Sequence, residues 1–304
     1  MTYTGALREA YRDLTELDRR REGIRFSATL LDGTPVIALA IAPEVGAQIV
    51  SPDRFAAEFE RAASVHHEGL VPPVAWGSLS DGTLHCSYAR LEVQELVPGS
   101  LSPASVAGIG VQVARAVGAI HESRLTHGAV SSARIVMTGE RSAKLGDFGL
   151  FAALSEGGLG PHATTALLND LAYNSPESQL GKLPDERTDI YSLGASLYEL
   201  LTGKPPYGGR TTTYVLASVL SDEAEDSKDD LPSPVVDALV RAIERAPEDR
   251  WPSAAAFAAA LATGAAGAGA TATVAAAKGR RGCLPAASAA LVLIVAGLVG
   301  ALLR

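Results

Sequence analysis

The chain has 304 residues, 47% hydrophobic and 20% charged, enough to bury one large core or two modest ones. Its net charge of −8 excludes a general electrostatic attraction to nucleic acid. Its two cysteines, Cys86 and Cys283, lie far apart and in no metal spacing, which excludes a disulfide framework and fits a reducing cytosol.

The first residues, "MTYTGALREAYRDL", lack the apolar core of a signal peptide, and residues 1–10 read as an extension. "TPVIALAIAP" (34–43) is a short β-rich run after the turn "LDGT". In "SPDRFAAEFERAASVHH" (51–67), Ser51 suits a helix cap and Pro52 a first turn. Phe55, Phe59, Ala62 and Ala63 then recur at helical spacing. "SPASVAGIGVQVARAVGAIHES" (102–123) is a second helix, apolar on most faces and therefore expected inside. "DIYSLGASLYELLTGKPP" (189–206) is a third, its helical stretch ending near Gly203, with Pro205 and Pro206 blocking continuation. Strand-rich first and helix-rich afterwards, the order is that of an α+β fold with two unequal lobes, about 11–96 and 97–262.

"ATGAAGAGATATVAAAKGRRG" (262–282) offers nothing large to bury, so 263–283 is expected to be a flexible linker with a reach of roughly 25 Å. Residues 284–303 carry no charge, and as a helix would rise about 30 Å, one bilayer core. Lys278, Arg280 and Arg281 precede them, so the expectation is a single-pass, tail-anchored protein in the cytoplasmic membrane, with the folded domain on the cytoplasmic side. A buried Ala-rich helix is the alternative. Cys283, at the inner face, is open to lipidation, although a lone cysteine there is more often just a small apolar residue.

Four motifs follow one another at fixed spacing: "GDFGL" (146–150), "YNSPE" (173–177), "TDIYSLGASLYELLTGKPPY" (188–207) and "PEDRWPSAAAF" (247–257). Over residues 11–262 the chain thus resembles the bacterial serine/threonine protein-kinase family, which implies a bilobal protein-kinase-like fold. The resemblance gives several residues structural roles. Glu177 and Arg250 pair to tie the activation segment to the last helices. Asp189 accepts hydrogen bonds from the catalytic-loop backbone. His127 and Phe148 stack within the core, and Gly149 completes D-F-G, whose Asp147 matches a magnesium ligand.

The residues that carry phosphoryl transfer in that family are replaced. In "HGAVSSARIVM" the Arg and Asp of H-R-D fall on Gly128 and Ala129, the following lysine on Ser131 and the metal-binding Asn on Arg134. The Gly-rich loop falls on "LDRRREGIRFSA" (17–28), where Asp18, Arg20 and Gly23 take the glycine positions and only Gly23 survives; the adenine-packing valine falls on Arg25. No lysine precedes Lys144, so the strand lysine has no counterpart and falls on Leu39 or Ala40. Glu58 matches the helix glutamate, with a solvated helix carboxylate as the alternative.

These replacements lead to the expectation of a membrane-anchored pseudokinase, a catalytically inactive scaffold or allosteric module. No cofactor is expected, ATP binding is weak or absent, and magnesium is doubtful, with Gly23, Glu58 and Asp147 the contacts if a nucleotide binds. The expected partner is a protein, such as an active kinase or another membrane signalling protein, besides the bilayer; nucleic acid is not expected. Thr164 and Thr165 are candidate phosphorylation sites, but Gly128 removes the arginine that would receive the phosphate. One alternative is an atypical kinase with a rearranged phosphate site, built if Arg20, Arg21, Arg25 and Arg134 gather around an anion. It requires an arginine of "DRRRE" in the cleft and a second acid near Asp147 for metal, for which the sequence shows no good candidate. Another alternative is a metal-independent nucleotide sensor. Against the arginine site, charge runs are usually solvated, so Arg19, Arg20 and Arg21 read as an exposed turn with Glu22, and Arg134 as turned outward or locally paired. Against the sensor, Arg25 and the Ile37/Leu39 strand place bulky side chains where adenine would sit.

Overall fold

Alternation of buried and exposed residues builds the first half of the protein, seen here in a computed structural model describing residues 4–94, 96–139, 141–168, 171–207 and 234–267. After a short helix α1 (Thr4–Leu7), strands β1 (Tyr11–Arg19), β2 (Gly23–Leu30), β3 (Pro35–Ile41), β4 (Pro73–Ser78) and β5 (Leu84–Ala89) form an antiparallel sheet in the order β1-β2-β3-β5-β4. Period-two alternation gives the sheet two apolar faces. On one, Ala38 and Ala40 pack with Phe26 and with Leu7 and Tyr11, so Leu7, within the expected extension, contributes to the small-lobe core. On the other, Leu39, Cys86 and Tyr88 pack with Phe55 and Phe59.

Between β3 and β4 lie a one-turn helix, α2 (Pro43–Gly46), and α3 (Pro52–Ala63). Ser51 Oγ accepts the Arg54 N–H at 3.3 Å and caps α3, as expected from the sequence. Phe59 stacks on Trp76 at 5.9 Å, pinning α3 to the sheet.

In the large lobe, α4 (Pro103–Glu122) is capped by Ser102 and runs through the core with α8 (Glu186–Thr202), α9 (Pro234–Ala242) and α10 (Ala254–Gly267). Among the described residues α4 alone is long and apolar enough to cross a membrane, but it is this lobe's central core helix. Asp185 and Thr188 make a capping box that starts α8 three residues before the predicted Asp189, and Gly203 ends it at φ +81°. The hairpin β6 (Ile135–Thr138) and β7 (Ser142–Leu145), then α5 (Leu150–Leu154), α6 (Pro161–Leu168) and α7 (Pro176–Gln179), connect α4 to α8. Helix α10 continues to Gly267, four residues past the predicted start of the linker at 263. The rest of that linker, Cys283 and the 284–303 segment lie outside the described residues.

Candidate phosphate-binding cleft

The catalytic-loop region is positioned by one buried carboxylate. Asp189, on α8, accepts the backbone N–H groups of His127 and Gly128 at 2.8 Å each and faces His121 Nε2 at 2.9 Å. Burial opposes its charge most strongly, but the hydrogen bonds and electrostatic attraction of His121 and His127 together hold its pKa below the ordinary carboxylate value. His127 donates from Nε2 to the Gly146 carbonyl at 2.9 Å, accepts the Ala129 N–H on Nδ1 at 3.3 Å, and stacks on Phe148 at 6.1 Å. Burial keeps it neutral by lowering its pKa.

Gly128 sits at φ +71°, and a Cβ there would lie 2.5 Å from the Phe151 ring. The ring therefore fills the space beside the backbone where the resemblance places an arginine. Ala129 is buried in the same apolar cluster. Gly149, at φ +92°, presses close enough to α3 that a Cβ would meet Ala62 at 2.7 Å. Glu177 and Arg250 form the expected pair, bidentate at 2.6 and 2.8 Å, and Arg250 also donates to the carbonyls of Arg187, Glu244 and Arg245.

Arg134 points inward, not outward. It is 6% exposed, and donates from Nε to Asp147 Oδ2 at 3.1 Å, from Nη1 to Ser131 Oγ at 3.2 Å and from Nη2 to the Leu168 carbonyl at 3.0 Å. The arginine turn is not simply solvated either. The β1–β2 connection closes on mutual backbone hydrogen bonds of Arg20 and Gly23 at 2.8 and 3.3 Å, which swing Arg20 into the cleft. Its Nη1 lies 3.4 Å from Asp147 Oδ2 and 3.8 Å from Glu22 Oε1. Arg21 reaches the Ala166 carbonyl at 3.4 Å, while Arg19 pairs with Glu16 at 2.7 Å.

Glu22 is the acid that sequence reasoning missed. It is 4% exposed, anchored by its carbonyl, which accepts Ala42 N–H at 2.8 Å. Burial raises its pKa, with Arg134 and Arg20 opposing and Asp147 reinforcing the rise. Its only sequence signal was a carboxylate amid three arginines, which is ordinarily a surface pattern.

Other nominated residues have different roles. At Gly23 a Cβ would approach the Ala40 carbonyl to 2.0 Å, so this glycine serves strand packing between β2 and β3. Glu58 is half-buried and holds Arg61 with both oxygens at 2.8 Å. Leu39 is buried in the inner apolar cluster. Thr164 and Thr165 are buried on α6, and Thr164 Oγ1 donates to the Gly160 carbonyl at 2.7 Å, so a kinase reaches them only once α6 is displaced.

The cleft thus gathers Arg20, Arg25 and Arg134 with Asp18, Glu22 and Asp147. Guanidinium groups suit phosphate oxygens. A pair of magnesium ions does not fit the same residues: both inner carboxylates already face guanidinium, and among the described residues no group of three or more His, Cys, Asp or Glu gathers to hold a metal.

The family model described as "Protein tyrosine and serine/threonine kinase" matches residues 72–260, more than half of the chain. The serine/threonine-protein kinase PknB of Mycolicibacterium smegmatis is 30% identical over 219 residues, 68% of this chain and 35% of that protein. PknB of Mycobacterium tuberculosis is 28% identical over 219 residues, with the same coverage of 68% and 35%. The chain therefore spans little more than a third of the length of these curated relatives. The crystal structure of the M. tuberculosis PknI kinase domain matches with a TM-score of 0.62 at 22% identity, covering 85% of this chain and 97% of that one, a likeness of fold. The expectation of a catalytically inactive chain is corrected by these relatives, which are named serine/threonine-protein kinases. That expectation counted lost side chains at fixed sequence positions and read the arginines as solvated; Arg20 comes to the cleft from the β1–β2 turn, Arg25 from β2 and Arg134 from the loop before β6.

Proposed function

The chain belongs to the protein tyrosine and serine/threonine kinase family, and on that premise we propose that it is an atypical serine/threonine protein kinase with a rearranged phosphate site. One atom carries the reading. Arg20 Nη1 stands 3.4 Å from Asp147 and 3.8 Å from Glu22, the cleft arginine that such a site requires, with a second acid that is held by arginine and not by metal. Phosphoryl transfer asks mainly for positioning and charge neutralisation. ATP, when bound, supplies the phosphoryl group. Arg20 and Arg134 provide positive charge beside Asp147, and Asp147 orients both guanidinium groups through one oxygen. No step is assigned to a metal, because both carboxylates are engaged by arginine.

Membrane attachment through 284–303 is part of the proposal, supported by 20 uncharged residues that follow Lys278, Arg280 and Arg281. The phosphoacceptor is then a protein reached from the membrane surface.

The test is transfer of the labelled γ-phosphate of ATP by the full chain in detergent, to itself and to a generic basic protein substrate, with magnesium, manganese or EDTA. Incorporation that disappears in Arg20→Ala and in Asp147→Asn supports the reading. No incorporation under any of these conditions, with ATP bound, sinks it.

A further inference from the structure

The resemblance puts a phosphate-gripping lysine on β3 at Leu39 or Ala40, held by a glutamate of the following long helix. Only Leu39 lies on the inner face with Cys86 and Tyr88; Ala40 lies on the outer face with Phe26. In the β2–β3 register the direct partner of Leu39 is Arg25. Paired residues of antiparallel strands share a face, and neighbouring strands are only about 4.8 Å apart. The long arginine stem spans that offset, so Arg25 brings a cation to the face and level where the lysine would stand.

The supporting carboxylate has moved with it. Asp18 is the β1 register partner of Arg25, and the two are joined by a bidentate ion pair, Nε to Oδ1 at 2.9 Å and Nη2 to Oδ2. Asp18 Oδ1 also lies 3.6 Å from Arg20 Nε, and Arg20 reaches Asp147. A continuous chain, Arg25–Asp18–Arg20–Asp147, therefore runs from the strand to D-F-G. The helix glutamate Glu58, in contrast, is committed to Arg61. Asp147 and Glu22 both act on the Arg25 charge, placing it within the same electrostatic neighbourhood.

We infer that Arg25, oriented by Asp18, is the cation that grips the nucleotide phosphates, replacing the strand-lysine and helix-glutamate pair with one carried by β1 and β2. This rests on the kinase reading above and names the residue that makes its site work.

The experiment is calorimetric titration of the full chain in detergent with ATP and, separately, with adenosine. Arg25→Ala should weaken ATP at least ten-fold and leave adenosine unchanged. Arg25→Lys, which keeps a cation beside Asp18, should stay within about three-fold of the parent protein. A lysine returned to β3, Leu39→Lys in the Arg25→Ala background, should recover part of the lost ATP affinity. Unchanged ATP affinity in Arg25→Ala overturns the inference while leaving the kinase reading intact. Equal losses for ATP and adenosine also overturn it, since a phosphate grip does not touch the nucleoside. Failure of the parent protein to bind ATP removes the kinase reading and this inference with it. If Arg25→Ala does not fold, Arg25→Lys and Asp18→Asn decide: the first must retain ATP affinity and the second must weaken ATP without weakening adenosine.

Discussion

Arg134 Nε and Asp147 Oδ2 face each other across 3.1 Å, at the two positions where the resemblance places both protein ligands of the metal ions. A guanidinium therefore holds the D-F-G aspartate in place of a cation from solution. The same arginine binds the Leu168 carbonyl, so the cleft and the activation segment share one anchor.

Replacing that arginine should separate the two. In Arg134→Asn the Leu168 carbonyl loses a charged donor and Asp147 keeps only Arg20. The expected loss is about 1–3 kcal/mol, read by urea unfolding. Magnesium with ATP should raise the melting temperature of this variant more than that of the parent protein. An equal response to magnesium would mean that Arg134 does not compete with metal for Asp147.

The Glu177–Arg250 pair is a stability element. Arg250 is almost wholly buried, its head group lies 4.8 Å above the Tyr191 ring, and its donors are spread over one carboxylate and three carbonyls. Arg250→Met leaves Glu177 charged and unpaired, and should cost about 3–5 kcal/mol. Chemical denaturation reads this directly. A loss below about 1 kcal/mol would show that water compensates the carboxylate.

Restoring the missing H-R-D arginine should fail. Gly128→Arg meets both a left-handed backbone and the Phe151 ring, and Gly128→Ala already forces a Cβ to 2.5 Å from that ring. Gly128→Ala should destabilise by about 1–3 kcal/mol. In the Phe151→Ala background, where the steric part is gone, the glycine substitution should cost less; an unchanged cost would leave backbone strain as its only source.

Acid should destabilise the fold through His85 before its carboxylates titrate. Tyr11 donates its hydroxyl to His85 Nδ1 at 2.7 Å, and burial lowers the His85 pKa to about 4. An unfolded histidine titrates at about 6.5. Below that value the unfolded state takes up the proton first, so stability present above about pH 6.5 is lost as pH falls toward 4, up to about 3 kcal/mol for this residue. His127, also lowered by burial, acts in the same direction. His121 acts oppositely: burial lowers its pKa, but Asp189, Glu186 and Asp185 together more than reverse this, so its contribution is present below about pH 6.5 and fades as pH rises through the raised value. Urea midpoints between pH 7 and 4.5 should fall more steeply for the parent protein than for His85→Gln. Parallel falls would refute a neutral, buried His85.

The elements legible in the sequence depend on short-range chemistry. Ser51 and Gly203 cap their helices by contacts within a few residues, so residue type at those positions is sufficient. Glu177, Asp189 and Arg250 were also legible, because the motifs carry them at spacings tied to the fold. The cleft was not legible in this way. Arg20 and Asp147 are separated by 127 residues, and their meeting depends on the tight β1–β2 turn and on closure of the two lobes. A charge run in isolation favours water, which is why "DRRRE" read as solvated; in the folded protein Asp18, Glu22 and Asp147 supply the compensating charge that permits burial. Arg25 opposite Leu39 is a matter of strand register, which pairing and pleat alone decide. Composition, caps and motif order thus determined two lobes and the replacement of the usual catalytic-loop residues, while only tertiary structure decided where the cations went, because ion pairing over such separations is made by packing and not by neighbours in the chain.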